Sequence, residues 1–203
     1  MPKKKTERNP IGEVLGSRPG FFSGELLAAD DVPGLGSVVR ADAGADVFGV
    51  ISSLETDTVL PGRTPARYGL PADELMRKHP ELSELITTRF GASVVGYRSG
   101  DSVVVGVPGK PVPLYTQVYA ADPGDVIALG DDRRVVRLLA ASDAGADDGF
   151  LLAALVNLAD ARSERAGFLE GVCRELSRLL AGDYLRLEYL LDSLNRYYER
   201  GRD

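Results

Sequence analysis

Two hydrophobic periods divide this chain. From Pro10 to Leu54 apolar residues fall in short runs, the first of which, Ile11–Gly16, alternates with polar or small ones. Ile11–Gly16, Phe21–Leu27, Ser37–Ala41 and Val47–Leu54 are separated by Ser17–Gly20, by the Asp31–Gly36 loop and by the Asp42–Asp46 turn. Short apolar runs split by Gly, Pro and Asp turns predict β-strands. Residues 55–69 read as a loop. At Leu82, Leu85, Ile86 and Phe90 the spacing becomes i, i+3, i+4 and i+8, one face of a helix. Pro80 suits a first helical turn and predicts a break at His79. The period then changes to β-branched runs at Ser93–Tyr97 and Ser102–Val107, with Ser99-Gly100-Asp101 as the hairpin turn between them. The Gly109–Pro113 rim precedes another strand, Leu114–Ala120. Val126–Leu129 is a short apolar segment, and Arg134–Ala140 fits strand or helix. After Gly149 the strand signals stop and three helical stripes follow: Leu151, Leu152, Leu155 and Ala159; Phe168, Val172, Leu176, Leu179 and Leu180; and Leu187, Leu190, Leu191, Leu194, Tyr197 and Tyr198.

The pattern gives an α+β fold. A small closed or partly open β-barrel spans residues 10–142 and carries a short helical insertion at 71–90. A helical bundle or arm of about three helices spans 149–203. Residues 1–9 read as a flexible basic tail. Glycines inside strands (Gly12, Gly49, Gly96) suit the bends that close a small barrel.

Composition narrows the function. With 44% hydrophobic residues the chain has enough apolar side chains for a core. The net charge of −6 argues against a general polyanion binder. The single cysteine, Cys173, excludes an internal disulfide framework and fits a reducing, cytoplasmic setting. The longest apolar run, Phe150–Val156, is too short to span a bilayer, and Lys3-Lys4-Lys5 has no secretory apolar stretch behind it.

The blocks IGEVLGS, VPGLGSVV, DVFGVISSL, LPADELMRKHPELSELITTRFGASVVGYR and GKPVPLYTQVY resemble the HAS-barrel. That is the N-terminal β-barrel of HerA-type DNA translocases, related in shape to the N-terminal barrel of ATP synthase core subunits. The resemblance covers roughly residues 10–140 and is most specific over Glu74–Arg98 and the proline-rich rim. The helices beyond 149 match no named module. In the family an ATPase domain follows the barrel, and nothing after residue 140 here resembles one. A phosphate-binding loop needs Gly-Lys followed by Ser or Thr. The Gly109-Lys110 pair is followed by Pro111, so no nucleotide-binding residue carries over.

Candidate chemistry is sparse. His79 is the one histidine, so no histidine-based triad or multi-histidine metal site forms within the chain. Cys173 lies beside an apolar stripe and reads as a structural thiol. The Asp42–Asp46 and Asp143–Asp148 loops lack the spacing of an EF-hand and read as solvated turns. No catalytic residue, cofactor or metal is expected, and the chain reads as a non-enzyme. Arg40, Arg63, Arg67, Arg77, Lys78, Arg89, Arg98 and Lys110, with Tyr68 and Tyr97 nearby, offer a nucleic-acid surface as the alternative. These cations are dispersed among acids, which favours structural and interface roles. The resemblance implies a non-catalytic assembly module. It would dock on a HerA-like ATPase or a NurA-like nuclease in DNA-end processing, with DNA contact indirect or weak and a homo-oligomer possible. Leu82, Leu85, Ile86 and Phe90 are the packing candidates of the insertion, and Arg77, Lys78 and Arg89 its exposed contacts.

Overall fold

The computed structural model describes residues 9–27, 32–58 and 68–200. Residues 1–8 of the basic tail, Arg63, Arg67 and the rest of 59–67 lie outside them, and Glu55–Thr58, expected as the start of a loop, are strand.

Seven antiparallel strands follow one another: β1 (Gly12–Arg18), β2 (Phe21–Leu26), β3 (Val38–Ala43), β4 (Ala45–Thr58), β5 (Ile86–Ser99), β6 (Ser102–Val105) and β7 (Gln117–Ala120). Their order is β2-β1-β7-β3-β4-β5-β6, and β2 also pairs with β5. That last pairing closes six strands into a barrel and leaves β6 as an extra strand. β5 makes closure possible because it has 14 residues. One edge pairs along its length with β4; the other is shared, Arg89–Ser93 taking β2 and Gly96–Ser99 taking β6. The β5–β6 hairpin turns on Gly100-Asp101, with φ of +60° at Gly100, the positive value that puts glycine first in a two-residue turn.

Six helices complete the α+β fold of the described residues: α1 (Ala72–Lys78), α2 (Pro123–Asp131), α3 (Arg134–Ala141), α4 (Asp148–Asp160), α5 (Arg165–Leu179) and α6 (Tyr184–Arg200). Pro123 starts α2, where its missing N–H costs nothing. Asp147 caps α4, its carboxylate accepting from the N–H groups of Gly149 at 2.8 Å and Phe150 at 3.3 Å. No helix among the described residues is long and apolar enough to cross a membrane.

Two cores share the barrel wall. Val14, Phe22, Val39, Ala41, Val47, Ile51, Phe90, Ala92, Val94 and Val118 fill the barrel interior together with Val112. Val38, Phe48, Val50, Val95 and Val105 belong instead to the core shared with α2–α6. A wall buried on both faces explains the unbroken apolar runs Val47–Ile51 and Val94–Val95, since alternation needs one solvated face. The apolar helix α4 lies centrally in the helical core, with Phe150, Leu151, Leu155 and Leu158 fully buried.

The helical stripe expected over 82–90 is corrected. Residues Pro80–Leu85 form a 3-10 turn and β5 begins at Ile86. Ile86, Thr87 and Thr88 are β-branched, and pairing with Thr58, Asp57 and Thr56 outweighs the helical spacing. Phe90 therefore points into the barrel, 3% exposed, its ring edge-on to Phe22 at 6.2 Å. The break expected at His79 is present, with φ −134° and ψ 66°. Arg134–Ala140, open between strand and helix, is helical, and α2 takes in Val126–Leu129.

Candidate docking surfaces

Two of the arginines that suggested a nucleic-acid surface, Arg40 and Arg98, are engaged inside the molecule. On β3, buried Arg40 donates from Nη1 to Asp46 Oδ1 at 2.9 Å and stacks on the Tyr119 ring. On β5, Arg98 donates from Nε to Asp46 Oδ2 at 2.9 Å and from Nη2 to Asp125 Oδ2 at 2.6 Å. It also lies over the Phe48 ring. Burial pushes the Asp46 carboxyl up, but hydrogen bonds and charge from Arg98 and Arg40 outweigh it and hold the group below its ordinary value. Burial likewise opposes the Arg98 charge, and the two carboxylates more than restore it. Two cations and two anions cancel, so the network clamps β3, β4, β5 and α2 without offering net charge to phosphate. Arg40 Nε is buried with no hydrogen-bond partner among the described residues.

The insertion candidates do not form one surface. Arg77 and Lys78 are exposed on α1, and Lys78 Nζ pairs with Glu74 at 2.8 Å. Arg89 is exposed on β5 but lies in register between Glu25 of β2 and Glu55 of β4, which lowers its local potential. Leu82 is half-buried, and Leu85 and Ile86 are exposed where the 3-10 turn meets β5. Phe90, inside the barrel, is not available to a partner. His79 Nδ1 contacts Glu81 at 3.1 Å and its ring lies beside Tyr68, a local surface arrangement. Burial raises the Cys173 thiol, which disfavours the nucleophilic thiolate. No cluster of three or more metal-ligating side chains occurs among the described residues.

Two apolar surfaces lie away from the insertion. The first lies where β1 meets β7. Tyr115 has φ of +62°, a left-handed conformation that a large side chain rarely adopts. Its N–H donates to Val14 O at 2.7 Å, Val14 N–H donates to Thr116 O at 2.9 Å, and Thr116 Oγ1 donates to Pro113 O at 2.7 Å. These bonds hold the turn while Tyr115 (71% exposed), Leu114 (53%) and neighbouring Leu15 (48%) face solvent. The run LYTQVYA reads as one strand, so the backbone reversal at Tyr115 is hidden; the signal that marks it is the Pro111-Val-Pro113 pair just ahead. The second surface is the groove of about 500 Å³ between α5 and α6, with Cys173 in its wall.

Comparison with protein-family models finds no match for this chain, and no curated protein matches it.

Proposed function

We propose that this chain is a non-catalytic assembly module that docks on, or forms part of, a HerA-like ATPase and nuclease machine that processes DNA. Three features support the reading. The sequence blocks of the barrel resemble HerA-type barrels. The barrel interior is packed with side chains and leaves the surface as the place of action. The buried and half-buried charges of the barrel wall and α2, Arg40, Asp46, Arg98 and Asp125, neutralise one another.

The observation that carries the proposal is Tyr115. A left-handed tyrosine costs on the order of 1–2 kcal/mol. A fold that keeps this strain and leaves the ring in water gains nothing from it in isolation; a partner that covers Tyr115, Leu114 and Leu15 recovers it as buried apolar area.

The test is binding to a purified HerA-like ATPase or NurA-like nuclease from the same genome, measured by interferometry at low and high salt. Binding that survives salt and weakens at least about tenfold in Tyr115→Gly/Leu114→Ser supports docking through an apolar rim. Absence of binding to both proteins, with tight and steeply salt-dependent binding of DNA by this chain alone, makes it a stand-alone nucleic-acid-binding barrel instead.

A further inference from the structure

We propose that α6 is a homodimer seam, along which two copies of the chain pair antiparallel across a two-fold axis at Leu191. This does not depend on the ATPase-docking reading.

The seam is written in the spacing of α6. Its inner stripe, buried Leu190 and Leu194 with half-buried Leu187 and Tyr197, faces the chain's own helical core, and half-buried Tyr198 at the edge of that stripe touches the core as well. A second row runs beside it: Tyr184, Glu188, Leu191, Asn195 and Tyr198, at steps of four, three, four and three. That is a 3.5-residue period, the period of a helix that packs along another helix. Tyr184 is 71% exposed, Glu188 and Asn195 are exposed, and Leu191 and Tyr198 are half-buried. The core does not use this row fully.

The shape agrees with the spacing. Leu191, Asn195 and Tyr198 form one wall of the α5–α6 groove, and Ala166, Leu169 and Cys173 help form the other. Ala166 and Cys173 are small, so a third helix can approach closely. Two adjacent helices with an open apolar groove are half of a four-helix bundle. α6 has 17 residues, hence a length of roughly 25 Å, and two helices side by side are roughly 20 Å wide. The face is on the order of 500 Å² in projection and more as accessible surface, approaching the ~800 Å² per partner of a standard interface.

The residue order selects a second copy as the occupant. Tyr-Glu-Leu-Asn-Tyr has matching ends and a polar residue on each side of the central leucine. A two-fold axis at Leu191 sets each Tyr184 against Tyr198 of the other copy and Leu191 against itself. It also brings Glu188, which makes no ion pair among the described residues, near Asn195 of the other copy, whose amide can donate to the carboxylate. In the single chain Asn195 Nδ2 donates to exposed Glu199 at 3.2 Å, a contact easily exchanged. Each side offers what the other needs, as an isologous interface requires.

Sedimentation equilibrium and light scattering on the full chain test this. The expected species has twice the 21.7 kDa chain mass, with a dissociation constant below about 10 µM. Leu191→Arg sets two like charges on the axis and should raise that constant at least about 100-fold. Tyr184→Asp alters an exposed side chain and should do the same in direction, so the test survives if Leu191→Arg misfolds. In Cys173→Ser with Tyr184→Cys and Tyr198→Cys, a cross-linker of about 8 Å should join two chains. Within one helix the two positions are about 21 Å apart, beyond its reach. A wild-type chain that stays monomeric at about 100 µM, a dimer unmoved by both substitutions, or absence of the inter-chain cross-link overturns the proposal.

Discussion

Arg98 on β5 donates to Asp125 on α2 at 2.6 Å, and the same guanidinium holds Asp46 on β4. One side chain thus fastens the barrel wall to the helical layer. Arg98→Met keeps the stem but leaves Asp125 and half of Asp46 without a donor. We expect a loss of about 3 kcal/mol, read as a lower urea midpoint with an unchanged slope.

The same network sets an acid limb. The Asp46 carboxyl is held below its ordinary value of 3.8 in the folded chain. Below that value the unfolded chain takes up protons that the folded chain resists. The stabilisation is therefore complete above about pH 4 and is lost as pH falls through the lowered value. Asp46→Asn should be less stable than wild type at pH 6, and the gap in urea midpoints should narrow towards pH 2.

Tyr115→Gly should separate stability from docking. Glycine takes φ of +62° without penalty, so relief of strain exceeds its entropic cost and stability should rise by about 0.5–1 kcal/mol. Affinity for a partner on the Leu15–Leu114 rim should fall. A variant that melts higher and binds worse is the expected pair of results; calorimetry and interferometry read them.

Gly36 and Gly44 both have positive φ, +81° and +86°, but only one is crowded. A Cβ on Gly36 would lie 2.4 Å from the Ala153 carbonyl carbon of α4; a Cβ on Gly44 meets nothing within 4 Å. Gly44→Ala should cost about 1 kcal/mol, the conformational penalty alone. Gly36→Ala must also push α4 off the barrel and should cost about 3 kcal/mol or more. Thermal melts of the two variants give the difference.

Tyr197 gives an alkaline counterpart. Burial, then the hydrogen bond to Asp160 at 2.5 Å and the charge of that carboxylate, push its hydroxyl up to about 12 from 10.0, against the opposing charge of Arg165. Between those values the folded chain holds a proton that the unfolded chain gives up. The contribution is complete below pH 10 and disappears from 10 to 12. Absorbance at 295 nm should show a late tyrosine step that Tyr197→Phe removes.

Most strand cores were legible because short apolar runs lie between Gly, Pro and Asp turns, though Glu55–Thr58 read as loop, and α4–α6 were legible because their stripes sit between clear stops. Phe90 was misread because Leu82, Leu85 and Ile86 happen to match a helical face. The competing signal, Ile86-Thr87-Thr88, wins only through pairing with a strand some thirty positions earlier in the chain. α3 stayed open because RVVRLLA carries adjacent valines and no cap. The reversal at Tyr115 follows from its bond to Val14, a contact about a hundred positions away that no local pattern encodes. The insertion candidates shared a stretch of sequence, and the change from helix to strand at Ile86 divides them between surface and interior.

β4 and β5 stay paired out to Thr58 and Ile86, well beyond the residues where β2 joins them. Partners in such a ladder have their Cα atoms about 5 Å apart, so Thr58 and Ile86 lie side by side at the end of the ribbon. What lies between is topologically a cassette. Doubling its length would change the closure cost by only about 0.6 kcal/mol. Evolution, or an engineer grafting a peptide or reporter, can rewrite that stretch while the rest of the molecule keeps its architecture.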